Sequence, residues 1–257
     1  MMLSRCTLVL IVAATCQALE EAPSHAFVIS LNKVDGNVLA ERVRTHLLVQ
    51  NVEVIIANNG TGAVLPLYTR HLIRHGRNEH MQIGNRAMVG CLLSHAEAWK
   101  RVSTWTYVFE EDALIEAGIA QKVSQLLKEV RWLDFSVLML QGRRFEAGGS
   151  VREVGSLAAT CDECTWFGTR GYIVTKEGAG ILLEYVNPAV VQVDALMGLV
   201  NEFDSRFHLL WTLQEIVGNS RPLVSTVWDG CVLACFSVQI ACALVVVTHC
   251  ALLRCKL

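Results

Sequence analysis

Three apolar segments near the start of the chain alternate in period, and their order limits the fold more than any other feature. Ala26–Leu31 (Ala-Phe-Val-Ile-Ser-Leu) is rich in aromatic and β-branched residues and has the length of a buried strand. After Asp35-Gly36-Asn37, the residues Val38, Leu39, Val43 and Leu47 recur at helical spacing, with Glu41, Arg42 and Arg44 on the outer side. Val52–Ala57 returns to a strand and is closed by Asn58-Asn59-Gly60-Thr61-Gly62, a turn by composition. Parallel neighbours in a sheet need a crossover, and a helix between two strands supplies one. The expected class is therefore α/β.

The same alternation continues. Residues 63–86 form a polar connection carrying His71, His75 and His80 among arginines; His71 and His75 could share a helical face as ligands, or belong to a solvated cationic surface. Met88–Arg101 has a helical stripe of Met88, Val89, Leu92, Leu93, Ala96 and Trp99, with Ser94 and Glu97 off it and His95 at its border. Thr106–Phe109 is a strand that runs straight into Glu110-Glu111-Asp112. In an extended chain Glu110 and Asp112 project to one side and Glu111 to the other. Such a pair at the carboxyl end of a strand can hold a divalent cation against a diphosphate; a solvated acidic turn is the alternative. A helix over Gln121–Val130, strands at Phe135–Leu140 and Gly171–Val174, and a helix from Thr175 to Asn187-Pro188 complete the pattern. With no internal repeat and no low-complexity linker, residues 24–225 read as one domain.

The chain is 53% hydrophobic and only 18% charged, and the apolar excess lies at its ends. Residues 1–18 carry Arg5, the apolar run Cys6–Ala14 and a small-x-small exit at Cys16-Gln17-Ala18, the plan of a secretory signal peptide. An uncleaved anchor or a buried strand are the other readings. Residues 231–253 are apolar enough to form a helix rising roughly 34 Å, sufficient for a hydrocarbon core of about 30 Å. Arg254 and Lys256 follow it, as on a cytosolic flank; a buried terminal helix is the alternative. This topology predicts a lumenal domain held in an endoplasmic reticulum or Golgi membrane, where Asn59-Gly60-Thr61 would be a glycosylation acceptor. The formal net charge of -2 lacks the basic footprint of a nucleic-acid partner. Only Cys91, Cys161 and Cys164 fall inside the domain, too few for a disulfide framework or a tetrahedral zinc site; Cys161 and Cys164 form a local disulfide or stay free.

Phe27-Val28-Ile29-Ser30-Leu31 is followed by Val89-Gly90-Cys91-Leu92-Leu93-Ser94-His95 with Trp99-Lys100, and then by Tyr107-Val108-Phe109-Glu110-Glu111-Asp112-Ala113. Gly168-Thr169-Arg170-Gly171-Tyr172-Ile173-Val174, Val193-Asp194 and Pro222-Leu223-Val224 come next. In this order, over roughly residues 26–226, these stretches resemble glycosyltransferase family 25, which contains lipooligosaccharide and procollagen galactosyltransferases. The resemblance implies a GT-A-like, Rossmann-related domain that binds a nucleotide sugar and moves a hexose, galactose above all, from a UDP-sugar to a glycan or protein hydroxyl with inversion. It implies a divalent cation, Mn²⁺ in type, at Glu110 and Asp112. It places Ser94, His95, Glu110 and Thr169 about the donor, and makes Asp194 the base or acceptor-positioning acid, with Asp112 also catalytic. Four positions depart from the family pattern: Glu111 for its central Asp, Met88 for a Glu, and Asn32-Lys33 for Asp-Arg. Lys cannot reproduce the planar contact of Arg, and a thioether is a poor acceptor. These departures make a catalytically inactive binding or partner module the competing expectation.

Overall fold

The computed structural model describes residues 22–220, apart from 77–80, 143–144, 148–149, 162–163 and 167. The predicted leader at 1–18 and apolar segment at 231–253 lie outside the described residues. Among the described residues no helix is long and apolar enough to cross a membrane.

The opening unit forms as its periodicity dictates: β1 (His25–Ser30), α1 (Lys33–Leu47) and β2 (Asn51–Ile56), with β1 and β2 parallel. Asn32 caps α1 by accepting from the Asp35 N–H at 2.9 Å. There follow α2 (Leu67–His75), α3 (Arg86–Arg101), β3 (Thr106–Glu110), β4 (Ala113–Leu114), α4 (Ile119–Val130) and β5 (Val137–Met139). A set of short strands comes next: β6 (Phe145–Ala147), β7 (Val151–Val154), β8 (Ala158–Cys161), β9 (Cys164–Trp166) and β10 (Gly171–Val174). The chain then forms α5 (Lys176–Tyr185), α6 (Val193–Phe203), β11 (Leu209–Thr212) and β12 (Gly218–Asn219).

Eight strands make one mixed sheet in the order β2-β1-β3-β10-β5-β11-β8-β7. Strands β2, β1, β3, β5, β11 and β7 share a direction, and β10 and β8 run against it. The expected α/β class holds, with a large sheet, mostly in one direction, of the Rossmann-like kind. Strand alternation divides the core into two faces. Phe27, Ile29, Val108, Tyr172, Val174 and Trp211 pack with α3, α5 and α6, while Val28, Tyr107, Phe109, Ile173 and Leu138 pack with α1 and α4. Burying apolar surface on both sides of the sheet is the main force holding these layers together.

Two helices were not legible as such. The polar stretch at 63–86 contains α2, which buries only Thr69 and Leu72, so its apolar stripe is hidden among His and Arg. Thr69 Oγ1 donates to the Ala189 carbonyl at 2.6 Å and ties this helix to the segment before α6. Helix α6 has the opposite problem: Val193, Ala195, Leu196, Met197, Gly198 and Val200 are all buried, leaving little polar face to reveal a period. Of the cysteine alternatives, Cys161 is disulfide-bonded and Cys91 is a free thiol.

Candidate active site

The site begins where β3 ends. Alternation puts Glu110 on the same face as Val108, toward α3, and β10 pairs antiparallel with β3 so that Tyr172 lies opposite Val108 on that face. Helix α3 brings three residues to this place. It starts at Asn85, whose side chain accepts from the Met88 N–H at 2.9 Å, and Cys91, His95 and Trp99 follow at four-residue intervals along one side.

The contacts are specific. His95 Nε2 lies 3.0 Å from Glu110 Oε1, His95 Nδ1 lies 2.8 Å from the Tyr172 hydroxyl, and Trp99 Nε1 donates to that hydroxyl at 2.9 Å. Thr169 Oγ1 also donates to Glu110 Oε1. His95 is fully buried, whereas the Glu110 side chain keeps 25% of its surface exposed. Both donors address Oε1, so a ligand would meet Oε2. Burial acts to raise the Glu110 carboxyl, but donation from His95 and Thr169 and the charge of Arg170 prevail and hold it below its ordinary value.

Opposite Glu110, one amide organises a loop. Gln141 Nε2 donates to the Gly168 carbonyl at 2.6 Å, and Gln141 Oε1 accepts from the Arg170 N–H at 2.8 Å. Gly168, at φ +85°, takes the left-handed backbone that this tight loop requires. Its N–H donates to Asp194 Oδ2 at 2.8 Å, while the Ala195 N–H donates to Asp194 Oδ1 at 2.8 Å. Asp194 is thus fixed at the first turn of α6 and joined to the segment that carries Thr169. Burial pushes its carboxyl above the usual aspartate range and the charge of Glu110 adds to that, against the pull of the two N–H groups. Asp112 lies across from Arg170, with Oδ2 3.8 Å from the guanidinium Nε. The Arg170 charge therefore acts on both Glu110 and Asp112. Burial, then the charges of Glu110, Asp194 and Asp112, push the Cys91 thiol well above its ordinary value, so it stays protonated and is no nucleophile.

The other predicted residues fall as follows. Glu111 turns from Glu110 and Asp112 and accepts from Ser30 Oγ and the Leu31 N–H, both at 2.8 Å, stapling the end of β1 to the end of β3. Ser94 is buried; its hydroxyl donates to the Gly90 carbonyl at 2.6 Å and accepts from the Asn58 N–H at 2.8 Å. It also lines a groove of about 670 Å³ with Asn58, Ile56, Glu97 and Leu183, and Glu110, Asp112 and Asp194 are not among the lining residues. His95 and Thr169 thus sit with the acids, and Ser94 fixes the loop after β2. Met88 Sδ accepts from the Gly84 N–H at 3.2 Å, so the thioether is an acceptor here, though a weak one. His71 and His75 stack with ring centroids 4.6 Å apart on α2. Sequence reasoning gave no role to Gln141, Arg170, Tyr172 or Trp99. The last three lay inside quoted motifs, and Gln141, a polar residue just beyond an apolar strand, carried a signal equal to that of the acids.

Cys91, His95 and Glu110 bring a sulfur, a nitrogen and an oxygen within 4.8 Å of one another. Taken together, the partly exposed Cys91, Glu110, Asp112, Gly168 and Asp194 surround the carboxyl end of a central strand, the usual place for a ligand in a sheet of this kind. No curated protein matches the chain. The model of glycosyltransferase family 25 (LPS biosynthesis protein) matches residues 24–197, about two thirds of the sequence. With that match spanning β1 through the Asp194-bearing start of α6, the chain belongs to glycosyltransferase family 25 and is a glycosyltransferase.

Proposed function

We propose that this glycosyltransferase moves a hexose, galactose above all, from a UDP-sugar to a glycan or protein hydroxyl with inversion at the anomeric carbon. The domain is GT-A-like and lumenal, delivered to the endoplasmic reticulum or Golgi by residues 1–18 and tethered by residues 231–253. The observation that supports the reading most is the gathering of Glu110, Asp112 and Asp194 around Cys91 at the end of β3, with Arg170 beside the first two.

A divalent cation of the Mn²⁺ type fits this donor set. Carboxylate oxygens are what a hard cation takes, and the pair already accommodates one positive group, the Arg170 guanidinium. Glu110 and Asp112 would hold the ion, which when bound would neutralise charge on the departing UDP. The protein's own groups do the rest. His95 and Thr169 fix Glu110, and Arg170 lends positive charge beside the diphosphate. Asp194, its carboxyl raised toward the working range of a general base, takes the proton of the acceptor hydroxyl as that oxygen attacks the sugar. Its two backbone hydrogen bonds hold it in place for this.

The test is a panel of UDP-sugars offered to the purified chain with and without Mn²⁺, scored for donor hydrolysis and transfer. Metal-dependent turnover is expected, and it should vanish in Asp112→Asn with the fold intact. Equal turnover by that variant removes Asp112 from the mechanism. Donor binding with no turnover across the panel would leave the inactive binding module as the correct reading.

A further inference from the structure

The hydrogen bonds behind Glu110 have a direction that can be worked out. An indole N–H can only donate, so at one end the Tyr172 oxygen accepts from Trp99. An ionised carboxylate can only accept, so at the other end His95 Nε2 carries the hydrogen directed at Glu110. The middle link, 2.8 Å between His95 Nδ1 and the Tyr172 hydroxyl, has two solutions. Either Nδ1 is bare and accepts the phenolic O–H, or Nδ1 is protonated and donates to the phenol.

The second solution gives the Tyr172 oxygen two donors and leaves its own hydrogen pointing into the core. Tyr172 and His95 are fully buried and Trp99 is 1% exposed. Among the described residues no other acceptor bonds that hydroxyl, and a buried O–H without an acceptor is costly. The first solution satisfies every group in the chain. Burial also keeps the Tyr172 phenol protonated, as a donor must be.

We infer that Tyr172 and Trp99 are positioning residues that fix His95 as the neutral Nε2–H tautomer, so that the Oε1 of Glu110 is set from the core and Oε2 is presented to the cleft. The relay has a second consequence. Cys91, His95 and Glu110 have the composition of a thiolate metal centre, but a ligating nitrogen must be bare, and both nitrogens of His95 are engaged in the relay. Those three residues therefore do not act as a zinc centre. The relay's effect on transfer rests on the proposed role of Glu110; the tautomer itself does not.

Imidazole ¹⁵N chemical shifts of the full-length chain test this, with His95 identified by the signals lost in His95→Gln. The expected pattern is a protonated Nε2 and a bare Nδ1. Tyr172→Phe, which removes the donor to Nδ1, should move His95 off that pattern. It should also lower kcat by about 10-fold or more, the usual scale for losing an outer-shell partner. Trp99→Phe, which deletes the N–H together with part of the indole ring and so frees the Tyr172 hydroxyl to turn from Nδ1, gives the same readouts in weaker form if Tyr172→Phe does not fold. Adding Co²⁺ should produce no thiolate charge-transfer band. An imidazolium or Nδ1–H pattern in the unmodified chain, an unchanged pattern in both variants, or a cobalt–thiolate band overturns the inference. A chain that shows the Nε2–H pattern but transfers no sugar keeps the relay and loses the proposed function.

Discussion

Gly90 sits within α3, where replacing glycine by alanine ordinarily stabilises a helix by about 1 kcal/mol. The structure predicts the opposite sign. A Cβ on Gly90 would lie 2.1 Å from the Asn58 carbonyl oxygen and 2.9 Å from the Gly60 nitrogen, both backbone atoms. An ordinary carbon–oxygen contact needs about 3.3 Å, so the loop after β2 must retreat by about 1 Å. That loop is held by the Asn58 N–H on Ser94 Oγ at 2.8 Å and by Arg86 donating to the Gly60 carbonyl at 2.8 Å. Losing the first leaves the buried Ser94 hydroxyl without one of its partners, and losing the second removes a charge-assisted bond. Together these cost roughly 3–4 kcal/mol. Set against the gain in propensity, Gly90→Ala should destabilise the domain by about 2–3 kcal/mol, or about 5–10 °C in Tm for a domain of this size. Urea denaturation followed by circular dichroism measures it. A variant as stable as the parent, or more so, would refute the claim that α3 and the loop meet backbone to backbone.

Glu111→Asp restores the acid typical of the family but shortens the side chain by about 1.5 Å, and it should cost about 1–2 kcal/mol in urea denaturation because Ser30 Oγ and the Leu31 N–H are no longer reached. Asp194 must be ionised to take a proton, and its carboxyl is held above the usual range. Transfer should therefore fall as pH is lowered through a value above the ordinary aspartate range, and Asp194→Asn should be inactive at every pH; a pH–rate profile of kcat reads both. Asn59 is exposed, with its Oδ1 accepting from the Thr61 N–H at 3.0 Å and from the Thr61 hydroxyl at 2.6 Å. If the chain enters the secretory pathway, endoglycosidase should shift its mobility on a gel and Asn59→Gln should abolish the shift.

Where one period ran cleanly, the sequence was readable. β1, α1, β2, α3, β3 and β10 all lie where apolar spacing or strand-like runs put them, because α1 and α3 each turn one face to the core, and β1, β3 and β10, buried on both sides of the sheet, read as short apolar runs. Reading failed where that contrast was missing, as in the almost wholly apolar α6, the polar α2, and the short strands β7, β8 and β11. The acids of the site were visible because three charges directly after a buried strand are conspicuous. Their partners were not, because Trp99 and Tyr172 look like ordinary core residues until a structure shows their polar atoms meeting. Ser94 and His95 are adjacent in sequence, yet a rotation of about 100° between neighbouring helical residues sends one to the loop after β2 and the other to Glu110.

That rotation bears on why the acidic triplet departs from the family pattern at its centre. Three consecutive acids cannot all face one ligand, and here they divide: Glu110 toward α3, Asp112 toward Arg170, and Glu111 toward the end of β1. The outer two bound the cleft, while the central one joins two parallel strands whose ends must stay in register for the cleft to exist. Joining the two strands takes reach, and the longer side chain of Glu111 supplies it. The substitution at the centre thus falls on the member of the triplet that bears structure, and the two positions that face the cleft keep the acids the proposed chemistry requires.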